Sequence, residues 1–136
     1  AGSAEWSRWV MDNEYQVDPM GLAGNDDAGT MAAWYVFAAL GFYPIPCTGR
    51  YALGSPRVAE AWLHGVEQPL HVVVENPSET RPFIASVTWD GDPIVTPWIP
   101  LERLQAGGEV VFTMSASPTD FGLDVASEPL ADLYDL

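Results

Sequence analysis

The sequence predicts an α+β fold in which two helices precede a small, mainly antiparallel β unit. Apolar residues recur at helical spacing as far as Gly41, and from Arg50 onward they alternate with polar residues. The chain has 136 residues, of which 48% are hydrophobic. That is enough for one ordinary domain with a buried core, and it excludes a disordered segment.

The first helix is indicated over residues 4–14, where Trp6, Trp9 and Val10 follow helical spacing. The chain opens without a methionine, and we expect this helix to begin upstream. A loop marked by Asp18-Pro19 connects it to the second helix.

The second helix is predicted from about Asp27 to Leu40, with Gly41 as its C-terminal stop and Pro44 preventing its continuation. Apolar side chains cover nearly its whole circumference, which is typical of a helix that is buried on all sides. The rest of the chain contains too little helix to cover it. We therefore expect that further polypeptide packs against it.

The β unit is predicted from the period of two, and Asp90-Gly91 is a hairpin signal between two of its strands. From Pro118 onward the chain is acidic, carries no Lys or Arg and is expected to be a loosely ordered tail. The predicted strands are Leu70–Val74, Phe83–Trp89, Ile94–Thr96 and Val110–Met114.

The net charge of −14 excludes nucleic acids and anionic membranes as partners and favours a neutral or cationic ligand. No apolar run approaches the ~20 residues of a membrane span, and no signal peptide is visible. Cys47 is the single cysteine, so an intrachain disulfide and a Cys-rich zinc site are excluded. His64 and His71 show no metal-ligand spacing, and no metal-ligating residues are predicted.

The candidate for chemistry is Asn25-Asp26-Asp27, which lies where a glycine-rich turn meets the second helix. Capping alone explains such residues in many helices, because their side-chain oxygens accept bonds from unpaired backbone N–H groups. Two acids and an Asn exceed what a cap requires, however, and glycines such as Gly24 let a ligand approach the backbone. An ionised Asp here suits a general base or an oxygen ligand for calcium.

The aromatic residues leave alternatives open. Trp34 and Tyr35 fit a sugar-stacking role less well than core packing. The tryptophans of the β unit are most simply core or inter-domain contacts; they are Trp62, Trp89 and Trp98.

The run Gly21–Pro44, followed by Tyr51–Pro56, resembles glycoside hydrolase family 92. That family carries G-L-P-G-N-D/E-D-x-G-x-M-S-A-W-Y-V-x-S-A-L-G-F-Y-P and later Y-x-I-G-S-P, and this chain matches most of these positions in order. A looser similarity continues through Trp89-Asp90-Gly91 and Gly107–Phe112. Three departures leave the substrate preference open: Ala23 for Pro, Thr30 for Gln and Ala32 for Ser.

The resemblance implies a C-terminal piece of a calcium-dependent, inverting exo-α-mannosidase. Residues 1–46 would be the last helices of a catalytic (α/α) six-hairpin barrel, 47–118 the appended β unit and 119–136 the acidic tail. The partners implied are a mannose-containing glycan and the remainder of the same polypeptide. The location implied is extracellular or periplasmic, and the fragment alone should be inactive.

The resemblance also implies roles for the acidic motif. The general base is carried first onto Asp27 and then onto Asp26, and Gly24 and Asn25 are the candidate substrate-binding residues. The general acid and most calcium ligands would lie upstream of this chain. Two alternatives stay open: a carbohydrate-binding β module that uses Trp62 or Trp98, and a purely structural β appendage.

Overall fold

The structure is a computed structural model that describes residues 2–64 and 68–123. It is an α+β fold, as predicted. Most of the predicted acidic tail, residues 124–136, lies outside the described residues. The helices are α1 (Gly2–Asn13), α2 (Thr30–Leu40) and α3 (Leu101–Ala106).

Two sheets form the β part of the molecule. Strands β1 (Phe42–Ile45), β2 (Arg50–Leu53) and β7 (Trp98–Pro100) make an antiparallel sheet in the order β1-β2-β7. The larger sheet has the order β3-β4-β8-β5-β6, and its only parallel pair among the described strands is β4 with β8. Its members are β3 (Glu60–Leu63), β4 (Leu70–Glu75), β5 (Phe83–Trp89), β6 (Asp92–Ile94) and β8 (Gly108–Ser115).

The core lies between the two sheets and is built from alternate residues of their strands. Phe42 of the small sheet contacts Phe112 of the large one, with 5.8 Å between the ring centroids. Gly41 ends α2 beside this contact with φ of +84°, and an added Cβ would lie 3.1 Å from Pro56. A glycine is therefore required both by the backbone and by the packing. The other fully buried apolar residues of this cluster are Leu70, Val72, Val74, Val87, Trp89, Ile99, Val110 and Met114.

Arg8 joins α1 to this β structure. The residue is only 6% exposed, and its guanidinium donates from Nε to Ser55 Oγ at 2.7 Å. Its terminal nitrogens donate to the backbone oxygens of Pro56 (2.9 Å), Ser78 (2.8 Å) and Glu79 (3.3 Å). Burial, followed by the charge of Arg57, lowers the pKa of Arg8 from its usual value. One side chain thus holds the first helix to two separate loops.

Within the described residues α2 is not buried on all sides, as the shortage of covering helix in this chain leads one to expect. None of its residues is fully buried, and Val36 is 56% exposed. The helix packs with one side on the β1–β2 hairpin, where Phe37 contacts Tyr43 and Tyr51. On its other side, no described helix or strand covers α2 well enough to bury any of its residues.

Candidate functional site

The loop before α2 is closed by its own backbone. Gln16 N–H donates to Gly21 O at 2.8 Å, and Gly21 N–H donates to Asp18 O at 2.9 Å. A Cβ at Gly21 would lie 2.0 Å from Gln16 O, so only glycine allows this approach. An isolated bridge pairs Tyr15 with Leu22 and ties the loop across its base.

The second helix begins later than the sequence indicates. Residues Asp27–Gly29 form a single 3₁₀ turn, and α2 starts at Thr30. Ala28 (φ 55°) and Gly29 (φ 77°) are both left-handed, which a right-handed helix cannot include. The prediction of a continuous helix from Asp27 is therefore wrong. Asp26 and Asp27 both lie before the kink, and their side chains have different environments.

Asp26 serves the helix. Its Oδ1 accepts a hydrogen bond from the Met31 amide at 2.7 Å and a longer one from the Ala32 amide at 3.4 Å. These amides belong to the first turn of α2, which has no intrahelical acceptor for them. Asp26 thus supplies the cap that Gly29, the residue preceding the helix, cannot supply itself.

Asp27 has a different environment. Its residue is exposed, and its carboxylate receives no hydrogen bond and no ion pair from the described residues. Its backbone oxygen accepts a hydrogen bond from the Thr30 hydroxyl at 2.9 Å. This bond fixes the backbone and does not involve the carboxylate. Asp27 is therefore a carboxylate on an anchored backbone that faces solvent.

The two predicted substrate-binding residues are also open to solvent. Gly24 and Asn25 are exposed, and an added Cβ at Gly24 would meet nothing within 4 Å. The backbone at Gly24 is consequently accessible to a ligand. Of the four predicted site residues, Gly24, Asn25 and Asp27 present open surfaces, whereas Asp26 is engaged by the helix.

Tyr15 is a site residue that sequence reasoning missed. Its hydroxyl donates to Met31 O at 2.9 Å, and its ring stacks on Trp34 with 5.8 Å between centroids and 15° between planes. Burial raises the pKa of Tyr15, with smaller contributions from Asp26 and Tyr43. No sequence signal distinguishes Tyr15 from an ordinary aromatic residue after a helix, because its role depends on the loop returning to α2.

A cavity of about 360 Å³ opens between α1, α2 and the strands. Trp34 and Ala38 of α2 line it together with Ser7 of α1. Neither Asp26 nor Asp27 does so. The acid motif therefore lies on an open surface, and any enclosed sugar pocket around it would need walls from additional polypeptide.

Two classes of feature are absent from the part of the chain that the structure describes. Within residues 2–64 and 68–123, no three His, Cys, Asp or Glu side chains are grouped so that they could hold a metal ion. Over the same residues, no helix has the length and apolar character needed to cross a bilayer.

The loop thus presents an exposed carboxylate, that of Asp27, together with the exposed backbone of Gly24. The glycosyl hydrolase family 92 catalytic domain matches residues 1–116. The chain belongs to this family. No curated protein matches it.

Solved structures of the family share the fold. The chain is similar to the family GH92 α-mannosidase BT3965 from Bacteroides thetaiotaomicron, with a TM-score of 0.79 and 28% identity over 85% of this chain. It is also similar to the family GH92 inverting mannosidase BT2199 from Bacteroides thetaiotaomicron VPI-5482, with a TM-score of 0.76 and 33% identity over 85% of this chain. A complex of BT3965 with mannoimidazole gives a TM-score of 0.80. The chain spans only 16% of the length of these proteins.

Proposed function

We propose that this chain supplies the base side of the active centre of an inverting exo-α-mannosidase, with Asp27 as the general base. The proposal rests on the different environments of the two acids. The Asp26 carboxylate caps α2 by accepting the Met31 amide. The Asp27 carboxylate is exposed, and the Thr30 hydroxyl donates to the Asp27 backbone oxygen. A cap-only role, the structural alternative for this motif, is already filled by Asp26.

The reaction proposed is the displacement of an α-mannosidic oxygen by water. Asp27 accepts a proton from the water as its oxygen bonds to the anomeric carbon, and the bond to the leaving oxygen breaks. A general acid roughly 6.5–9.5 Å from the base protonates the leaving oxygen. We assign that acid to polypeptide outside this chain. Gly24 and Asn25 are proposed to contact the sugar from the open side of the loop.

The exposed apolar surface supports the requirement for further polypeptide. Val36 of α2 and Trp9 of α1 are 56% and 47% exposed, and Met20 at the loop tip is 87% exposed. These exposed apolar side chains are part of the surface that we expect further polypeptide to bury. We propose that the remainder of a longer polypeptide, including the rest of an (α/α) six-hairpin barrel, covers it.

The calcium implied by the family is kept as a proposal with ligands mostly outside this chain. Calcium takes about six to eight oxygen ligands, and this loop offers few that are free. Oδ1 of Asp18 and Oδ1 of Asp26 are both occupied by backbone amides. The residues present therefore do not complete a calcium site, and no step above passes through the ion. An extracellular or periplasmic location is likewise a proposal.

The deciding experiment replaces each acid in the enzyme that contains this chain. Asp27→Asn is expected to lower kcat by about 10²–10⁴-fold, because the water loses its base. Asp26→Asn is the matched control, with a reduced melting temperature and a smaller change in kcat. Near-normal turnover of Asp27→Asn would contradict the proposal.

A second measurement separates loss of a base from loss of structure. Azide should restore activity to Asp27→Ala and give the β-configured mannosyl azide from an aryl α-mannoside, because azide needs no deprotonation to attack. Failure of azide to restore Asp27→Ala, with the fold intact by circular dichroism, would argue against the role. The isolated 136-residue chain is expected to release no mannose.

A further inference from the structure

An exposed tryptophan lies at the edge of the large sheet. Trp62 of β3 is 55% exposed, and among the described strands β3 pairs only with β4. Of the two packing roles predicted for Trp62, the core role is therefore wrong and the inter-domain role stays a prediction, whereas Trp89 of β5 is 2% exposed and packs in the core. The reason is the register, which places Trp62 opposite His71, on the face of the sheet turned away from the core.

The indole ring is held flat by its neighbours. Trp62 stacks on the His71 ring with 3.9 Å between centroids and 9° between planes. His71 thus covers one face of the indole, here called the inward face, and the 55% exposure of Trp62 shows that much of the rest of the side chain is open among the described residues. The indole N–H donates to Glu60 Oε1 at 3.3 Å, which fixes the rotation of the ring.

His71 is itself fixed from both sides. Its Nε2 lies 2.8 Å from Glu60 Oε1 and its Nδ1 lies 3.0 Å from Glu109 Oε2. Ionised carboxylates only accept hydrogen bonds, so a ring nitrogen that carries a proton donates to the carboxylate beside it. The second oxygen of each carboxylate, Glu60 Oε2 and Glu109 Oε1, receives no hydrogen bond from the described residues. The result is a preorganised aromatic plane with two free acceptor oxygens near it.

We propose that Trp62, with Glu60, forms a non-catalytic binding site for a neutral glycan. The C–H-rich face of a pyranose stacks on the outward side of the indole, and adjacent hydroxyls donate to the free oxygen of Glu60. The net charge of −14 and the two local carboxylates disfavour anionic polysaccharides. The site uses none of the residues of the acid motif, so it does not depend on the role assigned to Asp27.

The test is affinity electrophoresis of the 136-residue chain through gels that contain a neutral mannan or a neutral β-glucan. The wild-type chain should be retarded by at least one of them. Trp62→Ala should raise the dissociation constant by about tenfold, and Trp62→Phe should retain part of the binding. Trp6→Ala is the matched control, because Trp6 is a comparably exposed tryptophan (66%) on α1 and should leave the retardation unchanged.

Several outcomes would overturn the proposal. They are equal retardation of Trp62→Ala and Trp6→Ala, no retardation by either polysaccharide, and retardation that high salt abolishes, which would indicate charge-driven binding. The measurement is repeated with the enzyme that contains this chain, as the Asp27→Asn variant so that the polysaccharide is not consumed. Loss of Trp62-dependent binding there would show that polypeptide, not glycan, covers the ring. Retardation of the Asp27→Asn enzyme that is lost on adding Trp62→Ala separates this proposal from the catalytic one.

Discussion

The Oδ1 atom of Asp26 lies 2.7 Å from the backbone nitrogen of Met31, across a kink that interrupts the start of α2. The same Met31 receives the Tyr15 hydroxyl on its backbone oxygen at 2.9 Å. The first turn of the helix is thereby held from both its amide and its carbonyl side. The backbone oxygen of Asp27 accepts the Thr30 hydroxyl, and the Asp27 carboxylate takes part in none of these bonds.

Asp26→Ala should destabilise the fold by about 1 kcal/mol, within the range of about 0.5–2 kcal/mol found for lost helix caps. The Met31 and Ala32 amides would lose their acceptor. Asp27→Ala is the control and should change stability by no more than about 0.5 kcal/mol. Urea denaturation of both variants measures the difference, and equal losses would contradict the assigned division.

Gly21→Ala should disturb the loop, whereas Gly24→Ala should not. A Cβ at Gly21 would lie 2.0 Å from Gln16 O, an impossible contact with backbone, so the loop must open or shift. At Gly24 nothing lies within 4 Å. The expected cost of Gly21→Ala is about 1–3 kcal/mol, typical of forced overpacking. Hydrogen exchange at the Gly21 amide, which bonds Asp18 O, would accelerate only in the first variant if this is correct.

Local chemistry explains which parts of the fold the sequence could predict. Asp90-Gly91 was expected to turn a hairpin, and both residues have positive φ (51° and 86°) between β5 and β6. The parallel pairing of β4 with β8 was not predicted, because it joins strands far apart in the chain and no turn specifies it. Short α3 was missed as well, since six residues give too little periodicity to identify a helix.

The site was only partly predictable for a related reason. The residue types identified Asn25-Asp26-Asp27 as the motif, but its geometry depends on the left-handed Ala28, which propensity does not favour. Sequence therefore could not decide which acid caps the helix and which stays exposed. The family resemblance puts Asp27 first as the general base, which stays a prediction, and the structure shows that Asp26 accepts the amides of Met31 and Ala32.

Arg8→Ala should be among the most destabilising single changes outside the core strands, at about 3 kcal/mol. The change leaves the Ser55 hydroxyl and the Pro56 oxygen without their donor in a buried place, and it removes the partly buried bonds to the backbone oxygens of Ser78 and Glu79. Arg8→Lys should recover little, because an ammonium cannot reproduce the planar set of donors. The control is Arg81→Ala, since Arg81 is exposed and its side chain contacts no described partner. Urea midpoints that match for Arg8→Ala and Arg81→Ala would contradict this role.

Glu60→Gln should weaken the dependence of stability on acid pH. The hydrogen bond from His71, and then that from Trp62, lowers the pKa of Glu60 below its usual value of 4.5. A carboxyl group whose pKa is lower in the folded than in the unfolded state stabilises the fold above the unfolded-state pKa. That contribution is lost as the pH falls through the folded-state pKa. The wild-type melting temperature should therefore fall more steeply below about pH 4.5 than that of Glu60→Gln.

Glu102→Gln is the control, because the Glu102 carboxylate forms no hydrogen bond or ion pair with a described residue, and its profile should follow the wild type. Parallel profiles for the wild type and Glu60→Gln would show that the His71 contact does not contribute to the stability of the sheet edge.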